Sequence, residues 1–248
     1  MTLLIAGGDS FTYGSELPSQ EHAWGGILAD NLGMDYCCTA MPGASNSSIR
    51  RRVMNAVHQH KGADLFVAVM WSFPNRYEFR FAYDTGHRDS PWYSITPWTH
   101  NDQDPADHFV NADSYVLDLQ LSDRAHKEAT GMSDFARSYV KNVGGDPSWE
   151  IYTSMLEIVT LQNYLIKHNV NYIFTHVDNS LWDKTTDHSA LTLCADIDKS
   201  KWALEEGMYN WAKRTKQDFY TTHPTEKAHA VWVDNHLLRS EALHKYIK

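Results

Sequence analysis

The chain has 248 residues, of which 42% are hydrophobic and 21% are charged, and these proportions are typical of a soluble globular protein. The length is sufficient for one large α/β domain with a substantial core. With histidine counted as neutral the net charge is −9, which argues against binding to nucleic acid or to an anionic membrane, because both require clustered Lys and Arg. The one basic run, Arg50 to Arg52, indicates the solvent-facing side of a helix.

The cysteines and the N-terminal residues bear on the compartment. Cys37, Cys38 and Cys194 form no spaced framework, so we expect reduced thiols rather than disulfides. The first apolar run begins at Leu3 without a preceding basic segment, so no secretory signal is visible. No segment approaches the length of a membrane span. These features predict a cytoplasmic protein without a membrane partner.

Four short apolar runs predict buried strands, at Leu3–Ala6, Tyr36–Ala40, Leu65–Met70 and Tyr172–His176. Unbroken runs of this length are typical of a parallel sheet that is covered on both faces. A fifth strand is expected near Asp218–Thr221.

Segments with helical spacing of apolar residues separate the runs. One stripe begins at Ile49, with Asn46 or Ser47 available to cap the helix, and another begins at Tyr152. A third helix is expected to start at Pro224. The alternation of strands and helices predicts a three-layer α/β/α sandwich. Ligands of such sheets bind beyond the carboxyl ends of the strands.

Residues 77–146 interrupt this pattern, and a structureless loop of that length is rare inside a compact domain. We interpret the stretch as a large insertion after the third strand, with a helix near Ser133–Lys141, within a single domain that spans residues 1–248. The insertion either lies over the ligand-binding edge of the sheet or is a peripheral decoration. The aromatic candidates for contact with a substrate, in or next to this insertion, are Trp71, Trp92 and Trp98.

The residues Gly8, Asp9 and Ser10 directly follow the first predicted strand. Glycine tolerates the backbone angles of a sharp turn, and such a turn would raise the Ser10 hydroxyl clear of the sheet. The helix that follows would direct main-chain N–H groups at the same point, which suits an oxyanion. The alternative interpretation is a helix cap in a glycine-rich turn. Neither dinucleotide-binding nor P-loop glycine motifs are present.

A second candidate lies near the C-terminus, where His223 precedes Pro224 in a predicted loop. A histidine that is neutral near pH 7 can take the proton of a serine hydroxyl and later pass it to a leaving alkoxide. The alternative is a loop histidine without a partner, since the chain has fourteen histidines.

Together these segments resemble the SGNH/GDSL hydrolase family. Gly8-Asp9-Ser10 resembles its nucleophile block, Pro42 to Asn46 its glycine block, and His223 to His229 its histidine block, in the family's order along the whole chain. The resemblance implies a flavodoxin-like sandwich that hydrolyses carboxylic esters, commonly acyl lipids or acetylated sugars. It also implies that Ser10 is the nucleophile, that His223 is the base, and that the N–H groups of Ser10 and Gly43 bind the oxyanion.

The sequence departs from the family pattern at two places. The third block usually supplies an Asn to the oxyanion hole, and here Asn75 is a candidate with which Asn46 competes. The family's acid lies three residues before the histidine, where this chain has Tyr220. Asp218 is therefore the candidate acid, and its rival is a backbone carbonyl that orients His223.

The leading hypothesis is a serine esterase that cleaves a small-molecule or glycan ester, such as an O-acetyl group on a sugar, and that needs no cofactor or metal. The alternative is a catalytically decayed carbohydrate-binding or structural module with the same fold. A metal-dependent hydrolase is the third possibility, although its histidines lack tight ligand spacing. Those histidines are His87, His100, His108 and His188. No oligomeric state follows from the sequence.

Overall fold

The computed structural model describes residues 1–86, 88–96, 130–183, 187–203 and 206–244. The central sheet has four parallel strands, Leu3–Gly7 (β1), Asp35–Cys38 (β2), Leu65–Trp71 (β3) and Asn171–His176 (β6). They pair in the order β2-β1-β3-β6. The four predicted strands and their parallel arrangement are confirmed.

The α-helices of the described residues are Ser10–Tyr13 (α1), Trp24–Leu32 (α2), Asn46–Gln59 (α3), Met132–Tyr139 (α4), Pro147–Lys167 (α5), Ser180–Asp183 (α6), His188–Ala195 (α7), Met208–Arg214 (α8) and Glu226–Trp232 (α9). Short 3₁₀ turns lie at Gln20–His22, Lys199–Lys201 and Glu241–Leu243, and π turns at Val140–Gly144 and Val233–Leu237. None of the described helices combines the length and the hydrophobicity needed to cross a membrane.

Alternate residues of each strand face opposite sides of the sheet, and each side is covered by its own helices. On one side, Ile5, Val67 and Phe174 belong to a buried cluster with residues of α3, α5 and α7. On the other side, Leu4 and Ile173 belong to a cluster with residues of α2, α8 and α9. The molecule is therefore a three-layer α/β/α sandwich, as predicted.

The segment Asp218–Thr221 is not a fifth strand, and that prediction is wrong. It makes one isolated antiparallel bridge, between Phe219 and Pro224, and it turns back on itself because its main-chain groups bond across the turn. On the edge of β6 that faces away from β3, Phe174 makes an isolated parallel bridge with Trp202.

The cap of α3 is Ser45, not Asn46 or Ser47 as expected. The Ser45 hydroxyl accepts a hydrogen bond from the main-chain N–H of Ser48 at 3.2 Å. Asn46 is then the first residue of the helix, and its side chain is directed to the loop that follows β3.

The insertion begins as an antiparallel hairpin of Tyr77–Arg80 (β4) and Trp92–Ile95 (β5). The ring of Phe79 makes edge-to-face contacts with Phe135 and Tyr139 of α4, with centroid distances of 5.0 and 4.9 Å. The range of helix α4, Met132–Tyr139, agrees with the helix predicted near Ser133–Lys141. Aromatic packing therefore joins the two described ends of the insertion.

The basic run on α3 joins this helix to the insertion and to α5, so its interpretation as a solvent-facing surface is wrong. Each arginine pairs with a carboxylate outside α3, which lies on α5 for Arg50 and in the insertion for Arg51 and Arg52. The pairs are Arg50–Glu157, Arg51–Glu78, Arg51–Asp89 and Arg52–Asp89.

Candidate active site

The turn after β1 carries Ser10 at the start of α1. Asp9 caps this helix, because its side chain accepts a hydrogen bond from the N–H of Phe11 at 3.0 Å. Position 8 requires glycine, since a Cβ on Gly8 would lie 1.9 Å from Thr12 Oγ1. The turn is therefore tightly packed around Ser10.

Ser10 is half-buried, and both of its donors are available. Within the ranges that the structure describes, neither its hydroxyl nor its main-chain N–H has a hydrogen-bond partner. The N–H of a first helical residue has no acceptor inside its own helix, so it is free to bind a ligand. Ser10 thus offers one nucleophilic atom and one hydrogen-bond donor at the same place.

The loop after β2 is joined to the loop after β1. The N–H of Met41 donates to the carbonyl oxygen of Gly8 at 3.2 Å. Gly43, two residues further on, has φ of +76°, in the left-handed region that favours glycine. Its N–H also lacks a partner in the described part of the chain. The two N–H groups predicted for an oxyanion hole, of Ser10 and Gly43, therefore lie on adjacent loops, and neither has a partner among the described residues.

Asp9 also anchors the loop after β3. Its carboxylate is fully buried and accepts hydrogen bonds from Ser72 Oγ at 2.6 Å and from Arg76 Nη1 at 2.9 Å. The Arg76 side chain is only 11% exposed, so the pair is a buried ion pair. Our sequence analysis missed Ser72 and Arg76 as site residues, although both follow a strand at the ligand-binding edge.

Asn46 is not available as an oxyanion donor, which corrects one candidate. Its amide nitrogen donates to the Ser72 carbonyl at 3.3 Å and to Ser154 Oγ at 3.0 Å, and its amide oxygen accepts from the Ser72 N–H at 2.8 Å. Both of its N–H bonds are therefore used in tying α3 to β3 and α5. Asn75 is half-buried and stays the predicted amide donor.

The three tryptophan candidates differ in where they lie. Trp71 is fully buried in β3 and packs edge-to-face on Phe174, so it cannot contact a substrate, and that expectation is wrong. Trp92 is half-buried in β5, with the Arg51 guanidinium 4.6 Å from its ring centroid. Trp98 lies outside the described residues.

His223 contacts the residue that follows the candidate nucleophile. Its ring packs edge-to-face on Phe11, with a centroid distance of 5.1 Å. Its Nδ1 is 2.8 Å from Thr222 Oγ1 and 3.3 Å from Glu16 Oε1. The His223 side chain is 15% exposed, so solvent reaches part of the ring.

The carboxylate next to His223 is that of Glu16, not that of Asp218. Asp218 is exposed, and its carbonyl oxygen accepts a hydrogen bond from the N–H of Thr225 at 3.0 Å. Glu16 comes from the loop after α1 and is 207 positions away from His223 in the chain. No local spacing could indicate a contact between residues so far apart, so sequence reasoning missed it.

The second histidine of the C-terminal block, His229, holds two helices together. His229 is buried, and its Nδ1 accepts a hydrogen bond from the main-chain N–H of Trp24 at 3.1 Å. Burial lowers the pKa of His229 to about 3, with a smaller contribution from His223, so His229 is neutral at physiological pH. It joins α9 to α2.

The metal hypothesis has no cluster to support it in the described ranges. No group of three or more His, Cys, Asp or Glu side chains suited to a metal ion is found there. His188 lies at the start of α7, while His87, His100 and His108 fall outside the described residues.

The protein is a parallel α/β sandwich in which Ser10 follows strand β1 and His223 contacts the next residue, Phe11. The model of a family described as "Family of unknown function (DUF6071)" matches residues 14–245. Because this match covers most of the chain, the chain belongs to that family.

Carboxypeptidase A1 from Bos taurus is 28% identical to this chain over 92 residues, which are 37% of this chain and 21% of that protein. The chain therefore spans about a fifth of the length of the curated protein that it matches.

The solved structures to which this chain is similar include two esterases and a lipolytic protein. The psychrotrophic esterase EstA from Pseudoalteromonas sp. is 12% identical, with 94% of this chain and 92% of that chain covered and a TM-score of 0.48. A lipolytic protein of the G-D-S-L family from Veillonella parvula is 12% identical, with 96% and 100% covered and a TM-score of 0.36. An acetyl xylan esterase from Butyrivibrio proteoclasticus is 11% identical, with 99% and 62% covered and a TM-score of 0.37. At such scores, function has to be argued from the residues of this chain.

Proposed function

We propose that this protein is a serine hydrolase of the SGNH/GDSL type that cleaves carboxylic esters, with Ser10 as the nucleophile and His223 as the base. The observation that carries the proposal is the contact of the His223 ring with Phe11, next to a Ser10 whose hydroxyl and N–H are both unengaged in the described part of the chain. A binding role alone would require neither a serine hydroxyl without a partner among the described residues nor a histidine in contact with the residue that follows this serine.

The proposed reaction uses two steps. Ser10 Oγ attacks the ester carbonyl carbon while His223 takes the hydroxyl proton, and the N–H groups of Ser10 and Gly43 bind the oxyanion. When the tetrahedral intermediate collapses, His223 gives its proton to the leaving alkoxide. A water molecule then attacks the acyl-enzyme with His223 again as the base, which releases the acid and restores Ser10.

A small acyl group, such as the acetyl group of an acetylated sugar, is the proposed substrate class. The insertion lies close to the loop of Gly43, because Ser94 Oγ accepts a hydrogen bond from the N–H of Ser45 at 3.1 Å. A Cβ on Gly43 would lie 3.7 Å from the methyl group of Thr96. This proximity favours a short acyl chain over a long one.

The rim on the α1 side of the site is polar. Arg88 Nη1, from the insertion, donates to the hydroxyl of Tyr13 at 3.1 Å, three residues after Ser10. Hydrogen-bonding side chains of this kind suit a leaving group with many hydroxyls. The rim therefore favours a sugar over a lipid alcohol.

A hydrolysis panel tests the proposal. Wild type, Ser10→Ala and the control Ser138→Ala, a serine on α4, are assayed on p-nitrophenyl esters of increasing chain length and on an acetylated oligosaccharide. We expect a preference for acetyl esters, and a loss of about 10³-fold or more in kcat for Ser10→Ala only.

Equal activity in wild type and Ser10→Ala contradicts the mechanism. A folded wild type that binds the acetylated oligosaccharide but hydrolyses no ester supports the alternative, a decayed carbohydrate-binding module with this fold.

A further inference from the structure

The loop after α1 holds Glu16 in an unusual backbone conformation. Its φ is +70°, in the left-handed region that residues with a side chain rarely adopt. Such conformations persist only where surrounding contacts enforce them, and they are frequent at functional sites. The contacts of Glu16 therefore indicate why the strained backbone is kept.

Those contacts come from the turn that carries His223. The Glu16 carboxylate accepts hydrogen bonds from the main-chain N–H groups of Thr221 at 2.9 Å, Thr222 at 3.2 Å and His223 at 3.3 Å. It also accepts the hydroxyl proton of Thr222, with an oxygen–oxygen distance of 2.7 Å. One carboxylate thus determines how this turn meets the nucleophile loop.

The Glu16 side chain is ionised at neutral pH. Burial alone would raise the pKa of Glu16, but the hydrogen bonds from Thr222 and His223, together with the charge of His223, outweigh burial and lower the pKa. An ionised carboxylate can only accept hydrogen bonds.

The ionised state of Glu16 determines which ring nitrogen of His223 carries the proton. Because Glu16 only accepts, the single hydroxyl proton of Thr222 points to Glu16, and Thr222 Oγ1 can offer only a lone pair to His223 Nδ1, 2.8 Å away. Nδ1 must then carry the proton, which leaves the lone pair on Nε2. That tautomer is the one a base requires for taking the proton of a serine hydroxyl.

We infer that Glu16, with Thr222 as a bridge, is the residue pair that positions His223 and fixes its tautomer, in the role that sequence reasoning gave to Asp218. The inference rests on the proposed function for its catalytic meaning. The N–H of Tyr220 donates to the His223 carbonyl at 2.9 Å and closes the turn, and Nδ1 of the ring is 3.3 Å from Glu16 Oε1 in the loop after α1.

The charged and titratable groups that face His223 are few among the described residues. Glu16 approaches from the loop after α1, and His229 approaches from α9 and is neutral. Replacing Glu16 with Gln removes the negative charge that lies next to Nδ1 of His223. The amide N–H₂ of Gln can also donate to Thr222 or to Nδ1, which favours the wrong tautomer.

The test uses Glu16→Gln, Glu16→Asp and Thr222→Val, with Asp218→Asn as the matched control. We expect Glu16→Gln to lower kcat/KM on the order of 10²-fold or more, because the wrong tautomer of His223 cannot take the proton of Ser10. Glu16→Asp, which keeps the charge, should restore part of the activity. Asp218→Asn, which leaves the contacts of Nδ1 intact, should stay within about threefold of wild type.

A second readout does not depend on turnover. Proton–nitrogen NMR of His223, assigned by its loss in His223→Ala, reports the titration and the tautomer of the ring directly. An unchanged titration and tautomer in both Glu16→Gln and Thr222→Val overturn the inference, and so does a loss of activity in Asp218→Asn alone. If Ser10→Ala keeps full activity, the proposed function fails while the NMR result still decides whether Glu16 positions His223.

Discussion

Asp9 lies directly before the proposed nucleophile, and its carboxylate has no contact with solvent. A buried charge of this kind is tolerated only when it is paired and hydrogen-bonded, and here Arg76, Ser72 and the N–H of Phe11 satisfy it. Asp9 therefore has a structural role, because it fixes the turn that carries Ser10 relative to the end of β3.

Replacing Arg76 should measure how much the ion pair with Asp9 contributes to the stability of the fold. In Arg76→Leu the Asp9 carboxylate stays buried without its cation, and we expect the free energy of unfolding to fall by about 3–5 kcal/mol. Arg137→Leu is the control, since Arg137 forms an exposed pair with Asp134, and such pairs contribute about 0–1 kcal/mol. Urea unfolding measures both. Equal losses for the two variants would show that Asp9 does not depend on Arg76.

At the scale of elements, the hairpin of β4 and β5 joins the insertion to α3 and to the residue that follows the loop of Gly43. Arg51 on α3 binds Glu78 of β4 through two nitrogens, at 3.0 and 2.7 Å. Ser94 of β5 bonds both the N–H and the hydroxyl of Ser45, the residue that caps α3 directly after the loop of Gly43. The insertion therefore contacts the start of α3, directly after the loop of Gly43.

The contact of Ser94 with Ser45 gives a prediction about rate. Ser94→Ala removes the acceptor for the Ser45 N–H and loosens the loop that holds the Gly43 N–H. Because an oxyanion donor acts in the transition state, we expect kcat on p-nitrophenyl acetate to fall roughly tenfold while KM changes little. Steady-state kinetics measure this, with Ser138→Ala as the control. An increase of KM at constant kcat would instead assign Ser94 to substrate binding.

At the scale of the whole molecule, local patterns predicted the sheet well because a buried parallel strand leaves a continuous apolar run in the sequence. The rule that ligands bind at the carboxyl ends of such strands is the reason why the turns of Ser10 and Gly43 are the predicted site. Trp71 illustrates the limit, because an aromatic residue at the end of an apolar run can belong either to the core or to the site.

Contacts between distant parts of the chain could not be predicted from the sequence. Glu16 meets His223 across 207 positions, and Arg76 meets Asp9 across 67. Neither pair has a characteristic spacing, since each depends on how two loops meet after the sheet has formed. For the same reason Asp218, the acid nearest to His223 on its N-terminal side, was a misleading candidate.

The central claim is that Ser10 is a nucleophile activated by His223, and covalent labelling tests it most directly. A fluorophosphonate reacts with an activated serine hydroxyl and leaves a stable adduct that intact-mass and peptide mass spectrometry locate. We predict one adduct per chain, on Ser10, that is absent in Ser10→Ala, forms much more slowly in His223→Ala and is unaffected in the control His58→Ala, an exposed residue of α3. An adduct on another residue, or equal labelling of wild type and His223→Ala, would contradict the account.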